Sequence, residues 1–226
     1  MNTVINDLKL TLNKQSNKSI AKSMQRFFKE KLNFYGISSA AIGKISREYF
    51  SKIKSLPKEQ IFNLCEELFK SKIWEESQIA CNWSYNVKKE YKPEDFNTFK
   101  RWIGKYVNNW ATCDTLCNHT VGEFVEQYPE YVKELIKFTS STNLWVKRAS
   151  AVSLIVPAKS GKFFSEGLKI ATLLLEDPND LVQKGYGWLL KVYSQVYLQE
   201  VFNYVMDNKK RMPRTALRYA IEKMPK

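Results

Sequence analysis

The stretch LIKFTSSTNLWVKRASAVSLI, Leu135 to Ile155, decides how the chain is read. It opens on an apolar helix end, crosses the short polar turn TSSTN, and re-enters a helical pattern at Leu144. Serine, threonine and asparagine suit turns and helix caps. Only SLIV, at the end, has the look of a strand, and it lies inside a helical stripe. The whole stretch therefore reads helix, turn, helix.

Two other stretches echo this order. LFKSKIWEESQIACNW (Leu68–Trp83) and LLLEDPNDLVQKGYGWLLKVYS (Leu173–Ser194) each carry an apolar helix end, a polar turn, and a helix that begins with Trp, Val or Leu. The spacings are on the order of 35–75 residues, one or two periods of a helical repeat. Elsewhere the spacing of apolar residues is also helical. SIAKSMQRFFKEKL predicts one helix, with Ile20, Met24, Phe27, Phe28 and Leu32 on its apolar face. IGKISREYFSKI offers Ile42, Ile45, Tyr49 and Ile53, and PKEQIFNLCEELFK offers Ile61, Leu64, Cys65 and Phe69 behind Pro57 in a first turn. No Ser/Gly-rich linker divides the chain. Helices joined by tight turns form antiparallel pairs. The expected fold is all-α: one domain over residues 1–226, an α-solenoid of HEAT-like antiparallel helix pairs with a concave basic face. A compact helical bundle is the alternative.

The 226 residues carry a formal net charge of +13, unevenly spread. Lys9–Lys31 holds seven Lys/Arg against one Glu, and Asp207–Lys226 holds seven against two acids. Glu66–Glu130 runs the other way, with eight Lys/Arg against eleven acids. Basic ends around an acidic middle point to a polyanionic partner, most often nucleic acid. No apolar run reaches the roughly 18 residues of a membrane span. MNTVINDLKLTLNKQ lacks the pattern of a secretory signal, so an intracellular, cytoplasmic protein is expected. Cys65, Cys81, Cys113 and Cys117 then stay reduced. With His119 the only histidine, they read as buried apolar fillers rather than zinc ligands, and no metal or other cofactor is expected.

Three places combine aromatic and charged or flexible groups. In NNWATCDTLCN, Trp110 and Asp114 are four apart and share a helix face. In LWVKRAS, Trp145 and Arg148 are three apart. In GYGWLL, Gly185 and Gly187 precede Trp188, and glycine within a helix costs about 1 kcal/mol against alanine, which suggests close approach of a backbone or a ligand. Each has a plain structural reading as well: core tryptophan, helix-capping aspartate, surface-packed arginine.

In order along the chain, NNWATCDTLC, STNLWVKRASAVSLI, LVQKGYGWLLKVYS and PRTALRYAIEKMP resemble the AlkD-like family of DNA alkylation-repair glycosylases, which are built of HEAT-like repeats. NFYGISSAAI and LFKSKIWEESQIA resemble it more loosely, so the likeness spans nearly the whole chain. The resemblance implies hydrolysis of the N-glycosidic bond of N3- and N7-alkylated purines in double-stranded DNA, at an open surface rather than a deep pocket. It implies Asp114 as the catalytic carboxylate, Trp110 and Trp188 as aromatic walls beside the lesion, and Arg148 on the DNA backbone. Phe27 stands where the family pattern leads one to expect a tyrosine in the aromatic cluster. A phenylalanine keeps the ring and loses the hydroxyl, which narrows the expected lesion range.

The residues agree with that chemistry. An N3- or N7-alkylated purine is cationic and already leaves well, so no general acid is required. One carboxylate can stabilise an oxocarbenium-like sugar and place or deprotonate water. Trp faces attract cations by about 0.5–2 kcal/mol. Phosphates are expected to be held by Lys147, Arg148, Lys184, Arg211, Arg214 and Arg218, which track a duplex without reading its bases. A monomer suffices. Two other readings remain: a non-enzymatic nucleic-acid-binding repeat module with a decayed site, and a scaffold whose basic face meets an acidic protein.

Overall fold

The structure, a computed structural model, describes residues 2–225. Among them there is no strand, only a single parallel bridge between Asn33 and Ile73. The fold is all-α, of the helical-repeat class. The described residues cluster into two compact units, one ending at Leu116 and the other beginning at Cys117.

The first unit holds α1 (Asn2–Lys14), α2 (Lys18–Gln25), α3 (Ser39–Ile53), α4 (Lys58–Lys70), α5 (Trp74–Asn86), α6 (Asp95–Lys105) and α7 (Trp110–Thr115). The expected stripes of α3 and α4 are buried as read. Pro57 lies just before α4, its carbonyl accepting from Ile61 N at 3.2 Å. Helix α4 packs on α5, and α5 also meets α3 and α7. Fully buried Phe69, Trp83, Phe99 and Trp102 fill the middle of this core. Each such ring contributes about 1.5–3 kcal/mol by leaving water. The Trp83 indole N–H donates to Ser46 O at 3.0 Å, so its polar atom is satisfied inside. Glu66 of α4 ties α6 in place, accepting from Arg101 Nη2 (2.7 Å), Tyr106 Oη (2.8 Å) and Trp102 Nε1 (3.3 Å). Burial pushes the Glu66 carboxyl up. The bonds from Arg101, Tyr106 and Trp102 and the Arg101 charge outweigh it and hold the pKa to about 2.

One sequence expectation fails here. The helix predicted over SIAKSMQRFFKEKL ends at Gln25, and α2 buries none of its residues. The cause is Gln25 itself. Its amide Nε2 donates to Phe28 O (3.3 Å) and Glu30 O (2.8 Å), and its Oε1 accepts from Leu32 N (3.0 Å). The side chain thus satisfies the backbone of a loop that would otherwise continue the helix. Phe27, Phe28 and Leu32 leave the common helical face. The loop then runs back over α2, where Asn17 N donates to Tyr35 O at 2.9 Å. Gly36 sits at φ +84°, and a Cβ there would fall 2.0 Å from Asn17 O, so only glycine fits.

A π-helical turn, Leu116–Val121, begins on the last residue of the first unit, and the second unit goes on with α8 (Gly122–Gln127), α9 (Val132–Phe138), α10 (Leu144–Val152), α11 (Ile155–Ala158), α12 (Phe164–Leu173), α13 (Asp180–Tyr193), α14 (Leu198–Asn208) and α15 (Arg214–Ile221). The stretch Leu135–Ile155 is the end of α9, a turn, and α10; SLIV breaks α10 from α11 and is not a strand. Helix α9 packs on α10 and α12 on α13, while α10, α13 and α15 pack on one another in succession. The echo between segments has a local cause. Asn109, Asn143 and Asn179 each cap the following helix, accepting from Thr112 N, Trp145 N and Leu181 N respectively at 2.8–2.9 Å. These caps fall about 35 residues apart, within the period of helical repeats. Each contributes about 1 kcal/mol. The four cysteines are buried thiols, as expected of small apolar fillers.

Candidate functional site

Most candidate residues ride on the Asn-capped helices and on α15, with Phe27 and Arg211 in turns between helices.

In the first unit, α7 is a short helix with two faces. Thr112 and Cys113 are buried, whereas Trp110, Ala111, Asp114 and Thr115 are half-buried along the other side. Trp110 and Asp114, one turn apart, therefore share the accessible face, as their spacing predicts. Helix α7 is clamped from α5: Gln78 Nε2 donates to Thr112 Oγ1 at 3.2 Å, and Thr115 Oγ1 donates to Gln78 Oε1 at 3.0 Å. Asn109 closes the same network through Thr112 Oγ1 at 3.1 Å. A carboxylate on so short a helix owes its fixed position to these supports rather than to helix propensity.

Trp110 lies in an aromatic bed. Its ring stacks on Phe28 at 5.4 Å between centroids and 21° between planes. Phe28 in turn meets Phe34 at 5.7 Å and Trp74 at 6.5 Å. The expectation for Phe27 needs correcting in this respect: the ring that completes the cluster is Phe28. Phe27 is 73% exposed, and its backbone carbonyl accepts from the Trp110 indole Nε1 at 3.1 Å. The reason is the end of α2 at Gln25, which turns the next residues out of helical register.

Two residues that positioned this bed escaped notice in the sequence. Glu75 and Glu76 are fully buried at the start of α5. The Glu75 carboxylate accepts from Tyr35 N (3.1 Å), Gly36 N (2.7 Å) and Ile37 N (3.1 Å). The Tyr35 hydroxyl donates to Glu76 at 2.7 Å, and burial together with that bond pushes the Tyr35 hydroxyl pKa up. The loop bearing Phe28 and Phe34 is thus anchored at its far end by a carboxylate holding three successive backbone amides. Acidic residues in a first helical turn look like solvated dipole partners, so sequence offered no signal of burial.

In the second unit, Trp188 is half-buried on α13, one turn beyond Lys184. Of the two glycines of GYGWLL, Gly187 marks a close approach and Gly185 only ordinary contact. A Cβ on Gly187 would lie 2.8 Å from Ala216 O of α15, and one on Gly185 would lie 3.4 Å from the Arg148 Cγ. Arg148 is buried, 5% exposed, and its Nη1 donates to Leu181 O of α13. Lys147 pairs with buried Asp177 at 2.6 Å, and Asp177 also accepts from Asn179 N at 2.9 Å, bracing the α13 cap. Arg211 makes a two-pronged pair with Glu176 at 3.0 and 3.2 Å. Lys184, Arg214 and Arg218 come together with Thr215, Tyr219 and Glu222 around a pocket of about 470 Å³. Of the six cations expected on phosphates, Lys184, Arg214 and Arg218 converge on this pocket, Lys184 also pairing with Asp180, while Lys147, Arg148 and Arg211 are engaged by other protein groups. Among the described residues no three His, Cys, Asp or Glu side chains gather as metal ligands.

The arrangement is that of an all-α helical-repeat protein with Trp110 and Asp114 on one capped helix and basic side chains on others. The chain belongs to the DNA alkylation repair enzyme family, whose model matches residues 8–224. It is a protein of DNA alkylation repair. A comparison with curated proteins finds no match. Among solved structures, the fold is similar to an Enterococcus faecalis protein described as a predicted DNA alkylation repair enzyme, with a TM-score of 0.85, 19% identity, and coverage of 94% of this chain and 98% of that one. It is also similar to AlkD2 from Streptococcus mutans, with a TM-score of 0.61, 20% identity, and coverage of 80% and 89%. A third, smu.31 from Streptococcus mutans UA159, has a TM-score of 0.61 and 18% identity over 82% of this chain and 98% of that one.

Proposed function

We propose that the protein is a DNA glycosylase that hydrolyses the N-glycosidic bond of cationic N3- or N7-alkylated purines in duplex DNA. The observation that carries this reading is Trp110 and Asp114, one turn apart on the accessible face of a clamped helix, with the indole bedded on Phe28. The indole face attracts the positive charge of the lesion, and Trp188 offers a second such face. As the C1′–N bond lengthens, its electron pair moves onto the purine, which leaves neutral. The sugar becomes oxocarbenium-like, and Asp114 stabilises that charge electrostatically. Water then adds to C1′, and its proton passes to Asp114 or to solvent. A normal purine lacks the cationic leaving group and is spared.

The test is base release from a duplex treated to carry N7-methylguanine and N3-methyladenine, with wild type and Asp114→Asn side by side. Release by wild type and at least a hundredfold loss in the variant is expected, the scale of removing one electrostatic stabiliser. Unchanged release by the variant refutes the role of Asp114. Absence of release by wild type refutes the glycosylase reading.

A further inference from the structure

Lys184 of α13 and Arg214 and Arg218 of α15 line one pocket of about 470 Å³, together with Thr215, Tyr219 and Glu222. Arg214 and Arg218 are four apart and exposed, so both forks project from one helix face. Neither guanidinium has a hydrogen-bond or ion-pair partner among the described residues. Two acids bear on it, Glu222 in the lining and Asp180 beside Lys184, and both are paired. Glu222 pairs with Lys191 at 3.1 Å, outside the lining set. Asp180 pairs with Lys184 at 3.1 Å across one turn of α13, with both groups about one-third exposed. Such a pair contributes only about 0.3–0.5 kcal/mol, so it yields readily to a stronger anion. The pocket therefore keeps a surplus of positive charge. Two planar forks beside a point charge suit oxyanions, which guanidinium groups bind in a bidentate manner.

We propose that this pocket is a phosphate clamp. It takes two successive backbone phosphates of one DNA strand, with Arg214 and Arg218 each on one phosphate and Lys184 between them, one turn of α13 from Trp188. The inference rests on the DNA-repair reading and narrows it. Lys147, Arg148 and Arg211, engaged by Asp177, Leu181 O and Glu176, are supports of the fold and not part of the clamp. Arg214, Arg218 and Lys184 are positioning residues: they fix the register of the strand and leave the bond-breaking step alone.

The experiment measures binding of the full chain to a plain duplex across salt concentrations, for wild type, the Arg214→Gln/Arg218→Gln double variant and the control Lys137→Gln. Lys137 is an exposed cation on α9, away from the pocket. Each phosphate contact contributes about 0.9 to the slope of log K against log salt, so the double variant flattens the slope by about 1.8 and the control leaves it unchanged. All variants are first checked for a wild-type melting temperature. Replacing single phosphates with neutral methylphosphonates then locates the contact. Two adjacent replacements weaken wild type and leave the double variant unaffected. A slope unchanged in the double variant, or flattened equally by Lys137→Gln, overturns the clamp while the DNA reading stands. Failure of wild type to bind duplex overturns the reading beneath it.

Discussion

Gly185 and Gly187 are two residues apart on α13, yet alanine at these positions should have opposite effects. Alanine in a helix interior gains about 1 kcal/mol over glycine. At Gly187 the new methyl would meet Ala216 O and Tyr219 Cβ, both at 2.8 Å. Neither atom is the end of a flexible side chain, so α15 must move. Overpacking of this kind costs about 1–3 kcal/mol. The net effect at Gly187 is a destabilisation of up to about 2 kcal/mol. At Gly185 the nearest atoms are the Arg148 Cγ at 3.4 Å and Nη1 at 3.6 Å, which is ordinary contact with a long side chain. There the propensity gain survives, and Gly185→Ala is neutral or stabilising by up to about 1 kcal/mol. For a chain of this size 1 kcal/mol moves the melting temperature by about 2–4 °C. Gly187→Ala should therefore lower it by up to about 8 °C, and Gly185→Ala should hold or raise it, read by circular dichroism or calorimetry. Gly187→Ala should also weaken duplex binding, because the turn of α15 it displaces leads to Arg218. A Gly187→Ala protein as stable as Gly185→Ala would refute the close packing of α13 on α15 as the reason for the glycine.

Two further outcomes follow from the first unit. Phe28→Ala removes the stack under Trp110 and should cost about 0.5–1.5 kcal/mol for the ring pair plus the lost burial, measured by urea unfolding; Phe27→Ala, at an exposed ring, should stay within about 0.5 kcal/mol. Equal effects at the two positions would show that the cluster is wrongly assigned. Glu66, held to about 2, is depressed below the ordinary carboxylate value of about 4.3, so its ionised form stabilises the fold above that pH and the contribution is lost as pH falls towards 2. The stability gap between wild type and Glu66→Gln should be full at pH 7 and shrink steadily below about pH 4.3. A gap that does not change between pH 7 and pH 3 would mean that the Arg101–Glu66 pair contributes nothing.

What the sequence disclosed and what it hid divide along a physical line. Asn109, Asn143 and Asn179 cap helices through atoms two or three residues away, so their signal is local and survives in the bare sequence. The shared face of Trp110 and Asp114 follows from helix geometry alone. The end of α2 was illegible because the apolar spacing from Ile20 to Leu32 is helical, and the competing term is a single glutamine that serves the loop. The choice of Phe28 over Phe27 depends on that ending. Glu75 and Glu76 were hidden because their partners, the amides and hydroxyl of Tyr35–Ile37, lie about 40 residues earlier in the chain. Arg148 was expected on the surface because arginines are rarely buried. Its burial comes from the packing of α10 on α13, where its Nη1 donates to Leu181 O, a partner 33 residues away that the local sequence does not show.

These hidden residues share a task. Under the proposed glycosylase reading, a substrate that arrives with its leaving group already charged asks little of a general acid, and much of the placement of one carboxylate and one ring. Placement to a fraction of an ångström needs a second layer of residues whose own positions are fixed. Gln78 and Asn109 supply it for α7, Glu75 supplies it for the loop under Trp110, and Asp177 supplies it for α13. Removing such a support leaves every candidate site residue present and loosens it. Glu75→Ala would leave the amides of Tyr35, Gly36 and Ile37 without their carboxylate and the Phe28 loop unanchored. Its expected signature in the base-release assay is a fall in turnover with Trp110 and Asp114 both intact, and with the salt slope of duplex binding unchanged. A salt slope that fell together with turnover would mean that the loop holds phosphates itself, and that its role is in binding DNA rather than in setting the ring.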